Sequence, residues 1–161
     1  ALALDELVIK ILARQSPVAR DLRVLVSALR ISASLERMGA LACHLASIAR
    51  YRFPGSAVPD SLRKTFEEMS AMDIQLAKKL TEVLQNADVD LARAIQAEDE
   101  RVDELHRSVF EVVLSDSWKE NAMFTVDVTL ASRYFERFAD HVVEISSKVT
   151  YLTTGEWHET E

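Results

Sequence analysis

The chain carries 161 residues, 48% of them apolar, with a formal net charge of −7. That apolar share can build a core without disulfide or metal, and the acidic balance argues against a nucleic-acid surface, which needs a basic stripe. The single cysteine, Cys43, excludes an internal disulfide and fits a reducing, cytoplasmic compartment.

Three glycines and three prolines are too few for a turn-rich fold, so long helices are expected. The first predicted segment, residues 1–15, is apolar-periodic from Ala1 without a cap, and has neither the basic region nor the cleavage site of a secretory signal. Ser16-Pro17 reads as an N-cap followed by proline at the first helical position, opening a second helix over 17–53. Pro54-Gly55 ends it, Gly55 suiting a left-handed C-cap. Val58-Pro59-Asp60 opens a third helix, 60–86, with an acidic cap, and Asn86-Ala87-Asp88 breaks and restarts the chain into a fourth, 88–116. Ser117-Trp118-Lys119-Glu120 has the capping-box pattern and starts a fifth helix, 117–154, which Thr154-Gly155 closes. At 1.5 Å per residue the second and fifth would each run about 50 Å, which suits an elongated all-α bundle. No strand-like alternation appears, and no apolar run approaches the roughly 18–20 residues of a membrane span.

In the fifth segment Val128, Ala131, Phe135, Phe138, Val142, Ile145, Val149 and Leu152 recur at gaps of three and four, the seam of a bundle helix. The fourth has its own seam in Leu91, Ile95, Val102, Leu105, Val109 and Val112. Shifting the fifth back by one hundred gives Ala28, Ile31, Leu35, Met38, Ala42, Leu45 and Ala49 in the same register, and Val26/Val126, Glu36/Glu136, Arg37/Arg137, Ser47/Ser147, Tyr51/Tyr151 and Gly55/Gly155 also match. This is an internal repeat of a helical unit. If segments three to five form one three-helix unit, residues 1–55 are a partial first bundle, 60–155 a complete second one, and 156–161 a tail. On that reading the chain lacks a first helix and part of a second.

The run ARQSPVARDLRVLVSALRISASLERMGA (13–40), with QxPVAxDLR, the later ERFADH and the closing YLTTGE, resembles the PhoU family. The resemblance covers essentially the whole chain. It implies tandem three-helix bundles and a non-catalytic negative regulator of phosphate uptake and signalling, not an enzyme. The implied partners are the ATPase subunit of a phosphate ABC transporter and a sensor histidine kinase, met at the inner face of the membrane by a homodimer. Some family members hold iron or other metals through paired E(D)xxxD motifs, and Glu136/Asp140 matches that motif.

Glu136 and Asp140 lie four apart and so share a helix face, as do Asp99 and Asp103 on the preceding helix. If the two helices pack antiparallel, four carboxylates converge, an all-oxygen set suited to hard cations such as Fe, Mn or Mg rather than to zinc. With Phe135 and Phe138 at heptad a and d, Glu136 and Asp140 fall at b and f and are expected to face outward. Counting restrains this reading: the chain has five acidic i,i+4 pairs where its composition alone gives about four. Arg101, Arg133 or Arg137 could neutralise the acids without any metal. In the first repeat Ala40 replaces the second acid, so Glu36 is at most a partial site and is expected to stay empty.

Asp21 suits the helix dipole near the start of the second segment, while Arg20 and Arg23 fit a structural role better than a partner contact. His44 and His141 read as surface residues, Cys43 as a packed thiol, and Met38, Met69, Met72 and Met123 as core fillers. Trp118 and Trp157 lie at helix ends. An alternative function, a metal-binding or metal-storage bundle or a metal-dependent oxidase, is weakened because no Glu-x-x-His occurs anywhere. A plain helical oligomerisation module is a third reading. Nothing resembles a phosphate loop or a G-x-S-x-G elbow.

Overall fold

The computed structural model describes residues 1–155. Five helices follow one another: α1 (Leu2–Gln15), α2 (Ala19–Arg52), α3 (Arg63–Asn86), α4 (Val89–Val113) and α5 (Ala122–Thr154), with a 3-10 turn at Asp60–Leu62 leading into α3. Helices α2, α3 and α4 all pack against α5, α3 also packs on α4, and α1 lies on α2. No strand occurs among the described residues.

The seam residues explain why α5 is central. Val128, Val142 and Ile145 are fully buried, Ala131 and Val149 nearly so. Val142, Ile145 and Val149 meet Met69, Leu76, Leu80 and Val83 of α3, Ile95, Val102 and Leu105 of α4, and Met38 of α2. Each such side chain contributes roughly 1.5–3 kcal/mol by leaving water. A second cluster at the other end joins Leu62, Phe66, Val109 and Val128, with Trp118 against it. Arg52, at the end of α2, grips Asp127 near the start of α5 with two hydrogen bonds, one of 2.9 Å from Nη2 to Oδ1. Asp127 is only 5% exposed, so this pair fixes how the two long helices lie together.

The same register in α2 is only partly covered. Met38 is buried, but Leu35, Ala42 and Ala49 are exposed. Helix α5 is packed by three helices, whereas α2 has only α5 and α1 as substantial neighbours.

Three expected punctuation marks move. Ser16 does not cap α2; it ends α1 in the left-handed conformation, and Val18, extended at φ −126°, precedes the first turn of α2 at Ala19. Gly55 is not a left-handed cap: α2 ends three residues earlier, at Arg52, and Phe53 lies outside the left-handed region. The Ser117 capping box does not form. Ser117 Oγ lies 2.7 Å from Ser115 Oγ, and the Trp118 indole donates to Thr125 Oγ1 at 2.9 Å. Helix α5 instead starts at Ala122, where the Asn121 side chain accepts from the Phe124 N–H at 3.0 Å. Burying Trp118 against the second cluster turns residues 114–121 into a loop. The break at 86–88 is as expected, with Ala87 left-handed and Asp88 accepting from Leu91 N–H. Gly155 likewise closes α5 at φ 80°, where a Cβ would be strained.

Candidate acidic site

Asp99 and Asp103 stand one turn apart on α4, and Glu136 and Asp140 one turn apart on α5. Because α4 packs along α5, the four carboxyls lie within one another's fields. Burial, then repulsion from Asp103, Asp140, Glu136 and Glu100, pushes the Asp99 carboxyl from 3.8 up to about 7. Burial and Asp140 raise Glu136 as well, with Arg133 opposing them. The outward position expected for Glu136 is not what the structure shows. Its side chain is only 12% exposed, and its Oε2 is buried without a hydrogen-bond partner. The heptad stripe assumed one partner face, but α4 covers the flank of α5 beyond the Phe135/Phe138 seam. Asp140, at 39%, is the more open of the two.

Arginines already neutralise part of this charge. Arg133 pairs with Glu136 Oε1, and Arg137 Nη1 donates to Asp140 Oδ2 at 3.4 Å. Arg101 turns elsewhere, to Glu68 and Glu104. Among the described residues no three His, Cys, Asp or Glu side chains gather closely enough to hold a metal ion. As the side chains stand, the quartet shares a field rather than a coordination point. Its oxygen donors and the orphaned Glu136 Oε2 fit a hard cation in kind, but a cation would first have to draw Glu136 from Arg133.

Two members of this neighbourhood were not anticipated. His106, one turn after Asp103, sits 3.2 Å from Ser132 Oγ. Burial and Arg133 depress its pKa, against the pull of Asp103 and Asp140. The i,i+3 spacing Asp103-x-x-His106 was the available signal. Asp73 of α3 is 6% exposed, and its Oδ1 has no hydrogen-bond partner in the protein. Burial, with Asp99 adding, pushes its carboxyl to about 8. It occupies a core position between Met69 and Leu76, both buried, so only the break in an apolar series marks it.

The remaining candidates are scattered. Glu36 is exposed on α2. Cys43 is exposed, not packed, because its flank of α2 is uncovered. Met38 and Met69 fill the core as expected and Met72 is half-buried, but Met123 is 42% exposed near the start of α5. Asp21 lies in the first turn of α2, Arg20 beside it is exposed, and Arg23 folds over the Tyr151 ring at 5.8 Å. His44 stacks on Tyr134, and His141 Nδ1 lies 3.4 Å from Glu144 Oε2. Trp157 and the 156–161 tail lie outside the described residues.

Comparison with known proteins bears on the family and the fold. The PhoU domain family model matches residues 2–49 and 66–149. The phosphate-specific transport system accessory protein PhoU homolog 2 of Mycobacterium tuberculosis is 44% identical over 151 residues, spanning 94% of this chain and 71% of that protein. PhoU homolog 1 of Mycobacterium leprae is 41% identical over 155 residues, spanning 96% and 70%. The crystal structure of the phosphate transport system regulatory protein PhoU from Streptococcus pneumoniae superposes with a TM-score of 0.83 at 21% identity, covering 98% of this chain and 74% of that one. PhoU from Pseudomonas aeruginosa gives 0.76 at 23% identity, over 94% and 73%. These two structures bear on the fold alone.

Proposed function

The chain belongs to the PhoU family, and on that premise we propose that it is a non-catalytic negative regulator of phosphate uptake and phosphate signalling. The observation that carries this is the 44% identity, over nearly the whole chain, to a phosphate-specific transport system accessory protein. The protein works in the cytoplasm by contacts with the ATPase subunit of a phosphate ABC transporter and with a sensor histidine kinase. It acts as a homodimer, and reaches the membrane only through those partners. None of its described helices is long and apolar enough to cross a bilayer, which is compatible with that placement.

Residues 1–55 belong to a first three-helix unit and 60–155 form the second. The two separate family matches and the packing of α3, α4 and α5 on one another support this division. The α4–α5 acids are the regulator's cation-responsive element. A hard cation, iron, manganese or magnesium, would be held by Asp99, Asp103, Glu136 and Asp140, with Glu36 of the first repeat left without a matching acid. Support comes from the burial and mutual repulsion that raise Asp99 and from the partnerless Glu136 Oε2. The bound ion would supply charge neutralisation, and Arg133 and Arg137 supply it in the ion's absence.

The test is a pull-down of the ATPase subunit and of the kinase by the tagged protein in high and low phosphate. Capture that changes with phosphate status is expected. No capture of either partner under both conditions would remove the proposal.

A further inference from the structure

The splayed walls of α2 and α3 leave a trough over α5. One cavity in it, about 410 Å³, is bounded by Leu45 of α2, Ile74 and Ala77 of α3, and Phe135 and Phe138 of α5, with Asp73 in its lining. A second cavity of about 460 Å³ adjoins it between α3 and the 56–58 loop, reaching toward Phe66 and sharing Ser70 and Ile74 with the first. Together they follow α3 from Arg63 to Thr81, about 27 Å at 1.5 Å per residue.

Two features do not suit an idle surface. Ile74 is 54% exposed in the middle of the trough. Asp73, one residue earlier, is 94% buried, and its Oδ1 meets no donor. A buried carboxyl without a partner destabilises the fold that holds it, so such a group calls for an explanation. We propose that the trough is a docking site for an amphipathic helix of a partner protein, which sets one arginine or lysine of its apolar stripe on the Asp73 carboxyl, whose proton leaves to solvent as the cation docks.

The length of the trough selects a helix over a compact small molecule, since one cavity would suffice for the latter. Its lining selects an apolar stripe, and Asp73 selects a cation within that stripe. A guanidinium arriving there gains a charge-assisted hydrogen bond in a water-poor slot. The chain's net charge of −7 favours a basic partner segment at longer range. Lys78 at the rim is placed to meet an acid on the flank of the incoming helix. The inference rests on the regulator reading for the existence of a partner, but its own test needs none of the proposed partners.

The probe is a fluorescein-labelled, alanine-based helical peptide of about 18 residues, matching the trough in length, with leucines at i, i+4, i+7 and i+11 and one central arginine. A second peptide replaces the arginine by citrulline, its neutral isostere. Binding to the whole protein is read by fluorescence anisotropy. The arginine peptide should bind about tenfold or more tightly than the citrulline peptide. Asp73→Leu should erase that preference while raising Tm, because it removes a buried carboxyl oxygen that has no hydrogen-bond partner. Ile74→Glu should weaken both peptides and leave Tm nearly unchanged. A preference for arginine that survives Asp73→Leu overturns the proposal, as does binding of neither peptide. So does a dimer-to-monomer shift caused by Ile74→Glu in light scattering, which would assign the trough to a second copy. If the pull-down above succeeds and this test fails, only the docking surface is wrong. If this test succeeds and the pull-down fails, the named partners are wrong.

Discussion

Replacing Asp99 by asparagine should make the protein more stable above neutrality and change it far less at pH 5. The carboxyl is raised from 3.8 to about 7 by burial and by Asp103, Asp140, Glu136 and Glu100. A carboxyl raised on folding favours the folded state while it holds its proton. That contribution is complete below the unfolded value near 3.8 and is lost as pH rises through about 7. Between pH 5 and pH 8 the penalty therefore grows over about two pH units, or about 3 kcal/mol at full strength. Asp99 is only half-buried, so water screens the effect to about 1–2 kcal/mol. In a domain of this size that is about 2–8 °C in Tm. Thermal unfolding in chelator-treated buffer at pH 5 and pH 8 measures it. The parent protein should lose stability across this interval, with Asp73, raised to about 8, adding in the same direction. Asp99→Asn should recover part of the loss at pH 8. An equal effect of the substitution at both pH values, or a lower Tm at pH 8, would refute the raised Asp99 carboxyl.

Other expectations follow from particular contacts. Asp140→Ala should abolish stoichiometric iron or manganese in elemental analysis of the purified protein, and unchanged metal content would strike this residue from the ligand set. Asn121→Ala should cost about 1 kcal/mol in urea unfolding by removing the cap on Phe124 N–H, while Ser117→Ala costs little. Ile145→Ala, fully buried, should cost about 3 kcal/mol. Leu35→Ala, 43% exposed on the other copy of the long helix, should stay within about 0.5 kcal/mol. Arg52→Ala should lower Tm by leaving Asp127 buried and unpaired, and adding Asp127→Leu should restore most of it.

Much of the architecture was legible because local signals agreed with packing. The α5 seam from Val128 to Val149 lies against three helices, and the Asp88 cap and Gly155 stop act within their own turns. The misplaced boundaries share one cause. Ser16 and Ser117 both carry good capping sequences, but tertiary demands took them: the left-handed end of α1 in one case, the inward turn of Trp118 in the other. Periodicity also promised the same burial to both long helices. Leu35, Ala42 and Ala49 show that a seam says which face is apolar, not whether a neighbour covers it.

The acidic quartet was legible as four residues on two helix faces, but its burial was not. An assignment of Glu136 to an outer position considers one contact face, while α5 has neighbours on three. Asp73 was hidden for the opposite reason. It stands where a leucine is expected, and sequence patterning reads an isolated acid there as noise in the stripe. His106 joined the neighbourhood only once α4 was laid on α5.

The central claim, negative regulation of phosphate signalling, is tested most directly in cells. A strain lacking this protein, grown in ample phosphate, should express a phosphate-starvation reporter, and returning the intact gene should silence it. A reporter that stays silent in the deletion strain would contradict the account.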